Sequence, residues 1–126
     1  MLTIAPSTKI FLVSGATDMR KHFDSLSAIV TETLKRDPYA GHVFVFCNRR
    51  HNRLKILFWD GTGFWVMAKR LERGTFSWPE SKAKTIDLAP EELSLLLGGI
   101  DLRGAVRRRW YRRPDAEVKK TLVSSR

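Results

Sequence analysis

Two rhythms of apolar and polar positions divide the chain. Met19, Phe23, Leu26, Val30 and Leu34 recur at intervals of three or four residues, which places them on one side of a helix. Ahead of them, Lys9-Ile10-Phe11-Leu12-Val13 is short, apolar and partly β-branched, and Ser14-Gly15-Ala16 breaks it, so a first strand is expected there. Thr17 or Asp18 can cap the helix by accepting a bond from a free first-turn amide. Lys35-Arg36 complement its negative end, and Pro38 followed by Gly41 stops it.

From His42 to Trp78 the rhythm changes to β-branched and aromatic runs cut by turn residues, which predicts an antiparallel meander. Val43 to Cys47 is one strand, Asn48 to Asn52 a polar turn, and Arg53 to Trp59 the next strand. Asp60-Gly61-Thr62-Gly63 reverses the chain, because Asp-Gly tolerates the positive φ angles of a tight hairpin. Phe64 to Arg70 follows as a third strand, and Thr75-Phe76-Ser77-Trp78, ended by Pro79, as a fourth. Thr85 to Leu88 adds an edge strand. Pro90-Glu91-Glu92 opens a short helix carrying Leu93, Leu96 and Leu97, which Gly98-Gly99 ends. The predicted fold is α+β: an antiparallel β-sheet meander with one amphipathic helix near the N-terminus and a short C-terminal helix. Alternation puts Phe44 and Phe46 opposite Val43 and Val45, and Phe64, Val66 and Ala68 opposite Trp65, Met67 and Lys69. Both sheet faces are thus apolar, so one is expected to meet the helices and the other a partner or a second copy.

Length and charge narrow the classes. With 126 residues, 43% of them hydrophobic, the chain has material for one core, read as a domain over residues 1–102 followed by a basic arm over 103–126. Lys and Arg number 23 against 13 Asp and Glu, a formal charge of +10, and +6 of that falls in the last 26 residues. Acidic partners follow from that balance. The single cysteine, Cys47, rules out an internal disulfide and fits a reducing compartment, so the cytoplasm is the expected location. Apolar stretches are too short for a membrane span, and Met1-Leu2-Thr3-Ile4 lacks the basic start of a signal peptide; no membrane association is expected.

Catalytic chemistry is poorly represented. A metal-dependent nuclease would need clustered carboxylates, and its candidates are Asp18, Asp24, Asp60 and Glu72. Asp60 is accounted for by its turn and Asp18 by helix capping. His22, His42 and His51 lack the spacing of a ligand set, and Cys47 closes an apolar strand as packing material. Gly61-Thr62-Gly63 is too short for a phosphate loop. No enzyme activity, metal or cofactor is expected.

Binding chemistry is better represented. Arg49, Arg50, Arg53, Lys55, Lys69, Arg70 and Arg73 punctuate an aromatic-rich sheet segment, where cations would neutralise phosphates and Trp59 or Trp65 could stack on an unpaired base. In the arm, Arg107, Arg108, Arg109, Arg112 and Arg113 flank Trp110-Tyr111, a combination suited to phosphate forks and stacking.

Four ordered motifs add a resemblance: Thr17-Asp18-Met19-Arg20-Lys21, Phe44-Val45-Phe46, Trp59-Asp60-Gly61, and Lys69-Arg70-Leu71-Glu72-Arg73-Gly74. Over roughly residues 5 to 102 the chain resembles the small second open-reading-frame product, called TnpB, of bacterial insertion sequences of the family numbered sixty-six, and not the RNA-guided nuclease sharing that label. It departs from the family pattern at His22 and Ser25, where small glycine-like residues are expected. Cys47-Asn48 also replaces a more basic strand end, and Leu102 stands where Trp is usual. The resemblance implies an accessory role in DNA transposition beside a separate, larger transposase that carries the acidic catalytic residues. The expected partners are nucleic acid, DNA ahead of RNA, and that transposase, with self-association a further expectation. The alternatives are a protein adaptor without nucleic-acid contact and the small metal-dependent nuclease.

Overall fold

A computed structural model describes residues 7–99. Five strands form one sheet in the spatial order β4-β3-β2-β1-β5, from β1 (Ile10–Val13), β2 (Val43–Cys47), β3 (Arg53–Trp59), β4 (Phe64–Arg70) and β5 (Thr85–Leu88). The pairs β2–β3, β3–β4 and β1–β5 are antiparallel, as the hairpin chemistry of residues 48–52 and 60–63 requires for the first two. β1 and β2 are parallel, with Ile10 opposite Val43 and Leu12 opposite Val45. The helical segment between them is the crossover a parallel pair needs. The α+β expectation holds, with this one parallel pair inserted in the antiparallel sheet.

The crossover is an α-helix, α1 (Phe23–Ala28), continued by a wider π-type turn over Ile29–Thr33. It starts later than capping by Thr17 or Asp18 would place it. His22 is the N-cap residue, and its amide donates to Ser25 Oγ at 2.9 Å. Asp18 instead closes a local turn, accepting from the amide of Arg20 at 2.9 Å and from its guanidinium at 2.7 Å. A bidentate arginine two residues away binds this carboxylate more strongly than a lone helix amide would. Leu26, Val30 and Leu34 are buried as the periodicity predicts, whereas Phe23 is 42% exposed because the helix has only begun there. The helix stops at Lys35, in the left-handed region at φ 56°, and the Arg36 amide returns to Val30 O at 2.9 Å.

Both faces of the central strands are covered by the chain itself. On one face Phe11, Val13, Phe44, Phe46 and Leu57 pack against Leu26, Val30 and Leu34. On the other, Ile10, Leu12, Val43, Val45, Cys47, Leu54, Ile56 and Phe58 meet Phe76, Trp78, Leu93 and Leu96. The last two belong to α2 (Pro90–Leu97), where the Ala89 amide donates to Glu92 Oε1 at 2.8 Å. Over the central strands neither face is left open to a partner; apolar side chains stay exposed on the sheet only at β4, where Trp65 and Met67 share a face.

Residues Thr75 to Trp78 make no strand. Phe76 and Trp78 are buried as alternation predicts, but the segment crosses the sheet face instead of joining an edge. Trp78 Nε1 donates to Val13 O at 3.1 Å, and the Phe76 amide to His51 O at 2.6 Å. These bonds fix the loop as a cover, and ladder pairing is not available to it. No helix among the described residues is long and apolar enough to cross a membrane.

Candidate nucleic-acid interface

The antiparallel meander collects basic residues at one end of the sheet. The turn after β2 carries Arg49 and Arg50; β3 begins with Arg53; β4 ends with Arg70. The amide of Asn48 donates to Arg53 O at 3.0 Å, and Asn48 Oδ1 accepts from the amides of Asn52 and Arg53 at 3.0 and 3.1 Å. One asparagine thus ties the turn, with His51 in a left-handed conformation at φ 59°. Leu71 N donates to Asn52 O at 2.9 Å and closes the β4 side.

Arg53 and Arg70 are direct partners in the β3–β4 register. Because Asn52 and Leu71 share a ladder bond, the next pair inward is of the non-hydrogen-bonded kind, in which side chains approach most closely. Like charges so opposed cost stability. Glu72 relieves Arg70 through a 3.2 Å exposed ion pair, while among the described residues the side chains of Arg49, Arg50 and Arg53 have no hydrogen-bond or ionic partner. All of them are exposed.

Other basic candidates are separated from this corner by the fold. Lys55 shares the Arg53 face, but its ammonium donates to Lys21 O at 2.7 Å and lies 3.4 Å from His22 Nδ1, tying β3 to the start of α1. Lys69 lies on the opposite face, donating to Leu97 O at 2.8 Å at the C-terminal end of α2. Arg73 is exposed in the loop after β4. Arg107, Arg108, Arg109, Arg112 and Arg113 lie outside the described residues.

The other end of the sheet is aromatic. Trp59 and Phe64 are cross-strand partners with ring centroids 5.0 Å apart, and Tyr39 packs at 5.0 Å from the first and 5.2 Å from the second. Hairpin pairing of Trp59 with Phe64 is readable from the Asp-Gly turn; the arrival of Tyr39 from the loop after the helix has no sequence signal. Nor does the seat of Arg36, whose guanidinium lies 3.9 Å over the Phe11 ring. Trp65, on the face opposite Phe64, is 47% exposed, and its Nε1 donates to Asp60 Oδ2 at 2.8 Å.

The candidate acids do not converge. The amides of Thr62 and Gly63, the Thr62 hydroxyl and the Trp65 indole hold the Asp60 carboxyl at about pKa 2, led by the Thr62 amide bond. Bonding from the Arg20 side chain does the same for Asp18, also about 2. Glu72 pairs with Arg70, and among the described residues no group of three His, Cys, Asp or Glu side chains could hold a metal ion. Cys47 is buried, and desolvation pushes its thiol up to about 12, the state of a packing residue.

The family model described as IS66 Orf2 like protein matches residues 8–107, nearly the whole described fold and the first residues beyond it. The chain belongs to that family. Its members are accessory proteins of insertion sequences, as the four motifs implied. Two relatives come from Sinorhizobium fredii, strain NBRC 101917 / NGR234. The uncharacterized protein y4hO is 42% identical over 103 residues, spanning 82% of this chain and 90% of its own. The uncharacterized protein y4jC is 38% identical over 113 residues, spanning 88% and 96%. No solved structure matches the chain.

Proposed function

We propose that this IS66 Orf2-like chain is a non-catalytic accessory in transposition that binds nucleic acid, DNA ahead of RNA, through the basic corner of its meander. The separate transposase of the element is its protein partner in that assembly. The observation that carries the reading is the Arg53–Arg70 pair, two exposed cationic residues opposite each other in the β3–β4 register, only the second of them paired with a carboxylate, with Arg49 and Arg50 in the adjoining turn. Such an arrangement costs the free fold and is relieved by a polyanion, whose phosphates accept guanidinium forks and release counterions on binding.

Anisotropy of the full chain against labelled element-end DNA, scrambled DNA and single-stranded RNA, across a salt titration, tests it. Replacing Arg49, Arg50 and Arg53 together by Ala should weaken binding and reduce the log–log salt slope by about 2–3, since each phosphate left unneutralised takes about 0.9 off it. Affinity and slope equal to those of the parent would reject the corner as the binding site. Preference for the element end would make the contact sequence-specific, and no binding by either protein would favour the adaptor reading.

A further inference from the structure

The two edges of the sheet are built differently. β5 is four residues long, carries the exposed charge of Asp87 and runs into Pro90, the usual devices against edge pairing. β4 is seven residues long, contains neither proline nor glycine, and none of its residues is buried. Its outer edge pairs with no other described strand. Two of the four large apolar side chains most exposed among the described residues, Trp65 at 47% and Met67 at 38%, lie on one face of this strand. The Asp60 carboxylate holds the Trp65 indole in place, so the ring is presented on a fixed base.

Hydrogen-bond parity shows which backbone groups of β4 are free to pair. Asp60 N donates to Gly63 O at the hairpin and Leu71 N to Asn52 O at the far end. Alternation between these points turns the amides and carbonyls of Trp65, Met67 and Lys69 toward β3, and those of Phe64, Val66, Ala68 and Arg70 outward.

We propose that β4 pairs edge to edge and antiparallel with β4 of a second copy of this chain, centred on Met67. In that register Val66 meets Ala68 of the second copy, and Phe64 meets its Arg70, so all the outward-facing amides and carbonyls of the strand are used. Trp65 meets Lys69 of the other copy. The order of residues in β4, aromatic at the start and cationic at the end, is thereby self-complementary: each ring lies across from the apolar stem of a cationic side chain whose charged end is held by Leu97 O or Glu72. Parallel pairing would set Lys69 beside Lys69 and Arg70 beside Arg70, and is disfavoured by like-charge repulsion. On the exposed face the two Met67 side chains meet at the two-fold axis, flanked diagonally by both Trp65 rings, so the apolar patch becomes one continuous stripe. The joined sheet also sends the two basic corners to opposite ends, about 20 Å or more apart at the rise of a seven-residue strand. One pair could thus hold two segments of polyanion.

The test is made without nucleic acid, so its outcome is independent of the polyanion reading. Sedimentation of the nuclease-treated full chain should give a dimer. Ala68→Pro removes only an outward amide and leaves the β3 ladder intact, so it should give a monomer with parental circular dichroism. Met67→Lys, which opposes two ammonium groups at the axis, should do the same. Met67→Cys treated with diamide, which takes up the two electrons and two protons of the thiol pair, should form a covalent dimer, because non-hydrogen-bonded antiparallel partners have Cα atoms about 4.5 Å apart, within disulfide range. Phe64→Cys should not, its counterpart lying far along the strand. A monomeric parent, as when the chain's own C-terminal residues occupy the edge or only the transposase does, would overturn the proposal. So would a dimer unaffected by Ala68→Pro, or cross-linking at position 64 in place of 67.

Discussion

β2 and β4 are both neighbours of β3, both pair with it in unbroken antiparallel register, and both begin with apolar residues; yet every residue of β2 is buried and none of β4 is. The difference does not lie in the strands. On the helix face α1 still reaches β4, where Phe64 and Val66 are half-buried against the cluster that buries Phe44 and Phe46; on the other face the Phe76–Trp78 loop and α2 cover β2 but leave Trp65 and Met67 of β4 exposed. Apolar alternation therefore reports the ability to form a strand, and burial depends on what the rest of the chain can reach. Apolar residues left in the open on β4 are the ones that call for another explanation, and self-pairing supplies one.

Side-chain truncation should separate the two strands most widely. Phe46 is fully buried on the helix side of β2, so Phe46→Ala should cost about 3–5 kcal/mol through reduced burial and a cavity that packed neighbours cannot refill. Met67→Ala on β4 should lie within about 0.5 kcal/mol when measured on the monomeric Ala68→Pro background. Urea unfolding of the pair decides it. Equal losses would mean that β4 is as well packed as β2, and the exposed-edge account would fail.

Local turn chemistry and whole-sheet geometry leave unequal marks on the amino-acid sequence. The bounds of β2, β3 and β4 follow from local chemistry: alternation, the Asn48–Asn52 turn and the Asp60–Gly63 reversal, all within a few residues of the pairing they control. Thr75 to Trp78 shows the limit of that logic. Its alternation identifies Phe76 and Trp78 as inward-facing, but strand formation needs a vacant edge, and the position of an edge is a property of the whole sheet. The parallel placement of β1 beside β2 is hidden for the same reason, since a crossover connection leaves no local turn signature. In the candidate site, the basic character of residues 49–53 and 69–73 is legible, and the sorting is not. Lys55 and Lys69 are committed to Lys21 O and Leu97 O, distant carbonyls that no spacing rule reveals.

A smaller effect is expected at the end of β2. Cys47 is fully buried, and its thiol is held near 12 by desolvation. Cys47→Ser keeps the size but buries a more polar hydroxyl, with Asn48 Oδ1, 3.9 Å from Sγ, as its acceptor, and should cost about 1 kcal/mol. The same burial should make thiol labelling of the parent wait for unfolding, so labelling and unfolding rates should rise together with urea. Rapid labelling in native buffer would show the β2 end to be open.

The smallest effect lies in the hairpin that hands the chain from β3 to β4. Asp60 has an ordinary pKa of 3.8 and is held at about 2 by the Thr62 and Gly63 amides, the Thr62 hydroxyl and the Trp65 indole. A lowered folded pKa means that the unfolded chain binds the proton first on acidification. The stabilisation from these bonds is therefore complete above about pH 4 and is lost as pH falls through about 2. Asp18, also near 2 beside Arg20, adds a limb in the same window. Asp60→Asn should consequently lower the urea midpoint at pH 5 and flatten its decline between pH 5 and 2, leaving the Asp18 share. Because Asp60 is also what fixes Trp65, the variant should increase the mobility of the indole without moving the burial of β2. An acid limb identical to that of the parent would mean that the carboxylate does not anchor the exposed strand, and the fixed presentation of Trp65 would need another cause.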